Sequence, residues 1–269
     1  MQPDAPRGRV RMVGAGPGPA DLLTVRAQRA IETAGALLYD ALISDEVLAL
    51  APRACIRIQT GKRAGRASMA QETINRLMLR LARRGVTVVR LKGGDPSIFG
   101  RVGEEIEFLE AHVIPVEIVP GVTAACAAAA QFIFPLTHRG VARQLVFATA
   151  RTSDGAMHLE EPIAADRETT LALYMARDSI GPLFQRLVTA GRAPRTPAAA
   201  IENAGSNDAR LFTGDLSSLP ARLAAAAPDG PVLVVVGEVA ARAREAAAGR
   251  QHEPSLPIAP RPSVAGGRQ

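Results

Sequence analysis

The chain has 269 residues, 47% of them apolar, with a formal net charge of +6, which is enough apolar surface for one large core or two modest ones and excludes disorder as its main state. No window approaches the ~20 uninterrupted apolar residues of a membrane-spanning helix, and the first eleven residues lack a secretory apolar run, so the chain reads as cytoplasmic. Cys55, Cys126 and four scattered histidines show no ligand spacing, so no metal is expected, and 3% aromatic content without Trp disfavours a single-stranded nucleic-acid groove and leaves the positive charge for an anionic small molecule.

Short β-rich runs alternate with helical patterns from residue 9 to about residue 240, the order expected of an α/β protein with crossover connections. The first run, residues 9–13, leads into Gly14-Ala15-Gly16-Pro17-Gly18-Pro19, where glycines would let a ligand approach the backbone. A dinucleotide fingerprint needs G-x-G-x-x-G opening into a helix. Here the third glycine comes one residue early and two prolines disturb the entry, so hydride transfer on a Rossmann lobe is the less supported reading. A glycine-rich turn that binds nothing also stays open.

Strands are predicted next at 36–39 and 55–59. A helix then opens at Ser68, with Gln71 three residues on as a capping box; Ile74, Leu77, Met78 and Leu81 form one face and Gly85 supplies the stop. A strand at 86–91 runs into Arg90-Leu91-Lys92-Gly93-Gly94-Asp95-Pro96-Ser97-Ile98-Phe99-Gly100-Arg101. Ligands collect at such strand ends, and Asp95 could accept hydrogen bonds from hydroxyls. A tight turn capped by Asp95 is the other reading.

The strand at 116–119 ends in Pro120-Gly121-Val122-Thr123-Ala124-Ala125, small residues that leave room for a ligand or for close helix packing. Pro135, His138, Arg139 and Gly140 then interrupt the apolar pattern, which suggests two α/β lobes, 9–137 and 138–243. Strands follow at 144–149, 170–174, 198–201, 210–213 and 232–236. Tyr174-Met175-Ala176 closes one of them, and a soft Met suits a flat adenine or a thioether as well as a core. Residues 244–269 lack periodicity and are expected to be a disordered tail.

In order, Gly14-Ala15-Gly16-Pro17-Gly18, Tyr39-Asp40-Ala41-Leu42-Ile43-Ser44, Gly61-Lys62-Arg63-Ala64-Gly65, Lys92-Gly93-Gly94-Asp95-Pro96, Gly103-Glu104-Glu105, Pro120-Gly121-Val122-Thr123-Ala124 and Pro135-Leu136-Thr137-His138-Arg139 are similar to one family. The chain resembles the uroporphyrinogen-III C-methyltransferases, within the tetrapyrrole methylases, from residue 9 to about 243. The resemblance implies two lobes with the active site in the crevice between them, a homodimer, and transfer of two methyl groups from S-adenosylmethionine to uroporphyrinogen III. The product would be precorrin-2, for sirohaem, cobalamin or another modified haem.

Carried over by position, Pro17, Gly93, Gly94, Asp95, Ile98, Thr123, Ala124, Met175 and Ala204 would form the donor pocket, with Val232 a further candidate. By the same resemblance Asp40 would accept a proton and Lys62 donate one. Arg63 and Arg139 are read as contacts to the carboxylates of the macrocycle, since guanidinium groups match carboxylates in geometry and charge. Departures from the family pattern are Pro19-Ala20, Val102 in place of a glycine, and Thr149-Ala150-Arg151 in place of Thr-Gly-His. They leave open a silent binding protein, and the glycine loop and Gly93-Gly94-Asp95-Pro96, phrases shared across the tetrapyrrole methylases, leave open a methylase of a later precorrin.

Overall fold

The structure is a computed structural model that describes residues 8–61, 69–150 and 160–245. The first part of the chain runs β1 (Val10–Gly14), α1 (Val25–Glu32), β2 (Ala36–Tyr39), α2 (Asp45–Ala49), β3 (Ile56–Gln59), α3 (Gln71–Arg83), β4 (Val88–Lys92), α4 (Val102–Ala111) and β5 (Val116–Val119). The second runs α5 (Ala124–Gln131), β6 (Gln144–Thr149), α6 (Glu161–Ala165), β7 (Thr169–Tyr174), α7 (Ile180–Thr189), β8 (Pro197–Glu202), β9 (Arg210–Asp215), α8 (Leu219–Ala226) and β10 (Val232–Val236). The α/β class expected from the alternation is the one observed.

Two five-stranded sheets result, ordered β3-β2-β4-β1-β5 and β6-β7-β10-β8-β9. Every pairing in the first is parallel. In the second only β6 and β7 run parallel, and β7, β10, β8 and β9 alternate in direction. The central strands explain themselves: all five residues of β10, VLVVV, are buried, because helices cover both faces of that sheet. Each such Val contributes roughly 1.5–3 kcal/mol by leaving water.

Strand ends shift where local bonds compete. Val86 donates its N–H to Leu81 O and so completes the turn that ends α3, while Val88 donates to Arg9 O and opens β4. β8 reaches Glu202 and β9 reaches Asp215 because their antiparallel register runs from Pro197↔Asp215 to Glu202↔Arg210. The helix expected from Ser68 instead begins at Gln71, with Ala70 at the N-cap and no side-chain cap. Gln71 uses its amide on Asn75 and Glu105. Ser68 lies outside the described residues, as does the tail from 246 onward.

On the first sheet, Ala27 and Ile31 of α1 pack with Leu37, Val89 and Leu91 on one face. Met78 of α3 and Leu109 of α4 pack with Met12, Leu38 and Val88 on the other. The second sheet is covered by α7 and α8 through Leu183, Leu187, Leu219 and Leu223. Its opposite face takes α5, whose Ala125 and Ala128 lie against Ala172, Ala199 and Val235. Small side chains on both sides let that helix sit close to the strands.

β1 and β4 are neighbours, yet the helix after β1 covers one face of the sheet and the helix after β4 covers the other. Their connections therefore part at the carboxyl ends of the two strands, and a crevice opens there.

Candidate active site

Three loops meet in that crevice: 15–24 after β1, 93–101 after β4 and 120–123 after β5. Gly16 and Gly94 exchange backbone bonds, N–H to O at 3.2 Å and 2.7 Å. A Cβ on Gly121 would lie 2.3 Å from Gly94 O and 2.8 Å from Gly14 Cα. The contact is therefore open only to glycine, and it draws together three phrases that are far apart in sequence. Gly121→Ala is expected to force the backbones apart, with about 1–3 kcal/mol lost from stability and weaker binding of any ligand held by the loops; paired urea melts and calorimetry check this.

Asp95 supports the same junction. Its Oδ2 accepts the Gly121 N–H at 3.0 Å, and its Oδ1 accepts the Ser97 N–H at 2.8 Å and the Ser97 hydroxyl. The carboxylate expected to receive a ligand's hydroxyls is thus engaged with the protein itself, stapling one loop to the next. Gly93 and Gly94 remain open: their missing Cβ positions lie 3.6 Å from Leu42 Cβ and 3.9 Å from Thr123 Cα. That open backbone suits a nucleoside-like group laid against it.

The second sheet closes the other side. Pro17 packs on Gly205, where a Cβ would come within 2.5 Å of Pro17 Cγ. Gln131 of α5 holds the same turn through Gly205 N–H and Ser206 O, each at 2.8 Å, which brings Ala204 to the first loop. Thr123 Oγ1 lies 2.6 Å from Tyr174 Oη, which also accepts the Ala125 N–H at 3.3 Å, at the start of α5. Burial pushes the Tyr174 hydroxyl up from its ordinary pKa, so it stays a neutral donor and acceptor. The Phe99 ring sits 5.2 Å from that of Tyr174.

Met175 follows Tyr174 in a left-handed conformation, φ 56°, and is 49% exposed. A bulky residue so strained and so exposed is not a core residue. Val232 differs: its side chain packs with Leu219 and Leu223 on the α7 and α8 face, away from the face that Tyr174 supports. Ile98 belongs to the 93–101 loop, its N–H closing a turn on Asp95 O. Pro17, Gly93, Gly94, Asp95, Ile98, Thr123, Ala124, Met175 and Ala204 thus all come from the segments around one crevice.

Asp40 stands at the exit of β2. Its Oδ1 receives Arg90 Nη2 at 2.7 Å and Thr60 Oγ1 at 3.3 Å, and its side chain is 35% exposed. Arg90 continues inward to Glu105 Oε1 at 3.1 Å, and Lys92 Nζ pairs with Glu105 Oε2 at 2.8 Å. Burial, and then the neighbouring Arg90, hold the Lys92 pKa below its ordinary value, while Glu105 pulls it back. Two cations and two carboxylates so balance within a network that is buried except at Asp40.

Sequence reasoning does not single out Arg90, Lys92 and Glu105 as site residues. The available signal is charge at alternate positions of β4, a strand buried along its whole length, where each charge requires a partner. Lys62 and Arg63 lie outside the described residues, as does Arg151. Arg139 is exposed and precedes β6, beside the Arg143 N–H bond to Glu168 O. The amino-terminal end of β6 pairs with that of β7, opposite the end where Tyr174 leads into Met175. Val102 is the first residue of α4 and packs against the core beside Met78.

Among the described residues no helix is long and apolar enough to cross a membrane. The family model for tetrapyrrole (corrin/porphyrin) methylases matches residues 9–220. The chain is 45% identical over 233 residues to a siroheme synthase of Nitrosospira multiformis, covering 87% of this chain and 49% of that protein. It is 45% identical over 232 residues to that of Azotobacter vinelandii, covering 86% and 50%, so it spans about half the length of these curated relatives. The crystal structure of uroporphyrin-III C-methyl transferase from Thermus thermophilus complexed with S-adenyl homocysteine is similar with a TM-score of 0.73 and 39% identity, over 86% of this chain and 98% of that one. A cobalt precorrin-4 methyltransferase gives a TM-score of 0.77 at 25% identity, over 85% and 94%.

Proposed function

The chain belongs to the tetrapyrrole methylases, and from that premise we propose that it methylates two pyrrole carbons of uroporphyrinogen III with S-adenosylmethionine, giving precorrin-2. The observation that carries this reading is a partly exposed carboxylate, Asp40, fixed by Arg90 at the exit of β2, the strand that pairs with β4 ahead of Gly93 and Gly94. Support also comes from the relatives named siroheme synthase and uroporphyrin-III C-methyl transferase, the latter complexed with S-adenyl homocysteine.

When bound, the donor supplies a methyl group on a sulfonium, which a ring carbon can take without a metal. The residues supply position, and alignment of the two reactants accounts for much of the rate in such a reaction. Gly93 and Gly94 present open backbone to the donor, Asp95 holds their loop, and Pro17, Ile98, Thr123, Ala124, Met175 and Ala204 line its surroundings from both sides of the crevice. Val232 would contribute backbone alone. Asp40 takes a proton from the alkylated macrocycle, whose methylated carbon has become quaternary and whose cationic ring system returns to neutrality by losing a proton at another position. Lys62 donates only in moving a proton between ring positions, so that each methyl added still costs the macrocycle one proton net, and Arg63 meets a substrate carboxylate. The enzyme works as a cytoplasmic homodimer.

Anaerobic incubation with uroporphyrinogen III and S-adenosylmethionine, followed by mass spectrometry, is expected to show a product heavier by two methyl groups. The likeness to a cobalt precorrin-4 methyltransferase supplies the second reading, methylation of a later precorrin. An unchanged uroporphyrinogen mass with protein that still binds S-adenosylhomocysteine would favour it, and absence of donor binding would sink both.

A further inference from the structure

The buried network has one centre. Glu105 is wholly buried in the first turns of α4, and its two oxygens divide their partners. Oε1 receives Arg90 Nε at 3.1 Å and Gln71 Nε2 at 3.0 Å, while Oε2 faces Lys92 Nζ at 2.8 Å. Each cation then reaches onward to a different part of the crevice. Arg90 turns Nη2 to Asp40 at 2.7 Å and Nη1 to the carbonyls of Leu38 and Leu91, at 3.4 Å and 3.3 Å. Lys92 donates to Gly100 O at 2.5 Å, at the far end of the loop that begins with Gly93 and Gly94.

We infer that Glu105 is a positioning residue that sets Asp40 and the 93–101 loop in register with each other, through Arg90 on one side and Lys92 on the other. The inference rests on the proposed role of Asp40 and deepens it. Guanidinium geometry is what makes the Arg90 arm directional: a planar fork bound by Glu105 at Nε and by carbonyls at Nη1 has little freedom left at Nη2, so the Asp40 carboxylate is held in one orientation. The Lys92 arm acts on the loop instead. Its ammonium closes the ends of residues 93–100 on each other, and within that closed loop Phe99 and Gly100's neighbour Arg101 adopt left-handed conformations, φ 52° and 56°. Such conformations persist only where surrounding contacts over-determine them. Among the described residues Glu105 is the carboxylate that pairs with both arms, because Asp40 pairs with Arg90 and Glu104, next to Glu105, faces outward to Arg101.

The test separates the two arms. Arg90→Lys keeps a buried cation for Glu105 but cannot also hold Asp40, and is expected to lower kcat by on the order of tenfold to a hundredfold with unchanged affinity for S-adenosylhomocysteine. Lys92→Met should weaken that affinity by roughly tenfold while sparing kcat at saturation. Glu105→Gln should show both losses. In the Asp40→Asn background, Glu105→Gln should cost little further kcat, since the group it positions is already gone. Multiplicative losses in that double variant, or a Glu105→Gln protein with parental kcat and affinity, would overturn the inference while leaving Asp40 in its role. Parental kcat in Asp40→Asn alone would overturn the role of Asp40 and this inference with it. Should Glu105→Gln not fold, Arg90→Lys alone and combined with Asp40→Asn carries the same comparison.

Discussion

Asp40→Asn is expected to reduce single-turnover methylation by a factor on the order of 10² or more, the range typical for losing a general base, with affinity for S-adenosylhomocysteine nearly unchanged. The substitution preserves size and keeps one oxygen that Arg90 and Thr60 can still engage, as they engage Oδ1 now. What it removes is the capacity to take a proton. The donor loops contact Asp95, Gly121 and Ser97 rather than Asp40, so binding and chemistry should come apart in this one variant. The measurement is methylation under saturating ligands, set beside calorimetry on the same preparation. Full single-turnover methylation in Asp40→Asn would leave the site without its proton acceptor.

The second large effect is on stability. Glu105→Ala takes the paired carboxylate from Lys92 and leaves Arg90 with Asp40, both cations being about 4% exposed and two residues apart on one strand. An uncompensated buried charge typically costs about 3–5 kcal/mol, which for a chain of this size corresponds to a melting temperature lower by roughly 10 °C. An exposed pair sets the contrast. Glu72 and Arg76 on α3 meet at 2.5 Å with both side chains about 70% exposed, and Glu72→Ala should change stability by only about 0.5 kcal/mol or less. Similar losses in the two variants by calorimetric melting would mean that the β4 network is not held as a buried charge cluster.

Much of this architecture is legible in residue order and type. β2, β5, β6 and β10 fall at the residues expected from their β-rich apolar runs, because a strand in an α/β sheet is defined by apolar residues bounded by Gly, Pro or polar turns. The glycine phrases are legible as strand-end loops, since a glycine at a strand end is a local property. The start of α3 departs from the capping-box expectation for an equally physical reason: Gln71 has a better partner in Glu105 than in a local cap, and that partner is 34 residues away.

Sequence by itself determined the fold class, the glycine phrases and, through resemblance, the family, because these depend on residue type, spacing and order along the chain. Tertiary structure alone decided how those phrases meet: Gly14, Gly94 and Gly121 touch only because β1 lies between β4 and β5. It also decided that Asp95 spends its carboxylate on Gly121 and Ser97, and that one buried glutamate joins Asp40 to the loop after β4. Electrostatic pairing acts across space at a few ångströms without regard to sequence separation. A charge on a buried strand therefore announces that it has a partner, and only the folded chain says which one.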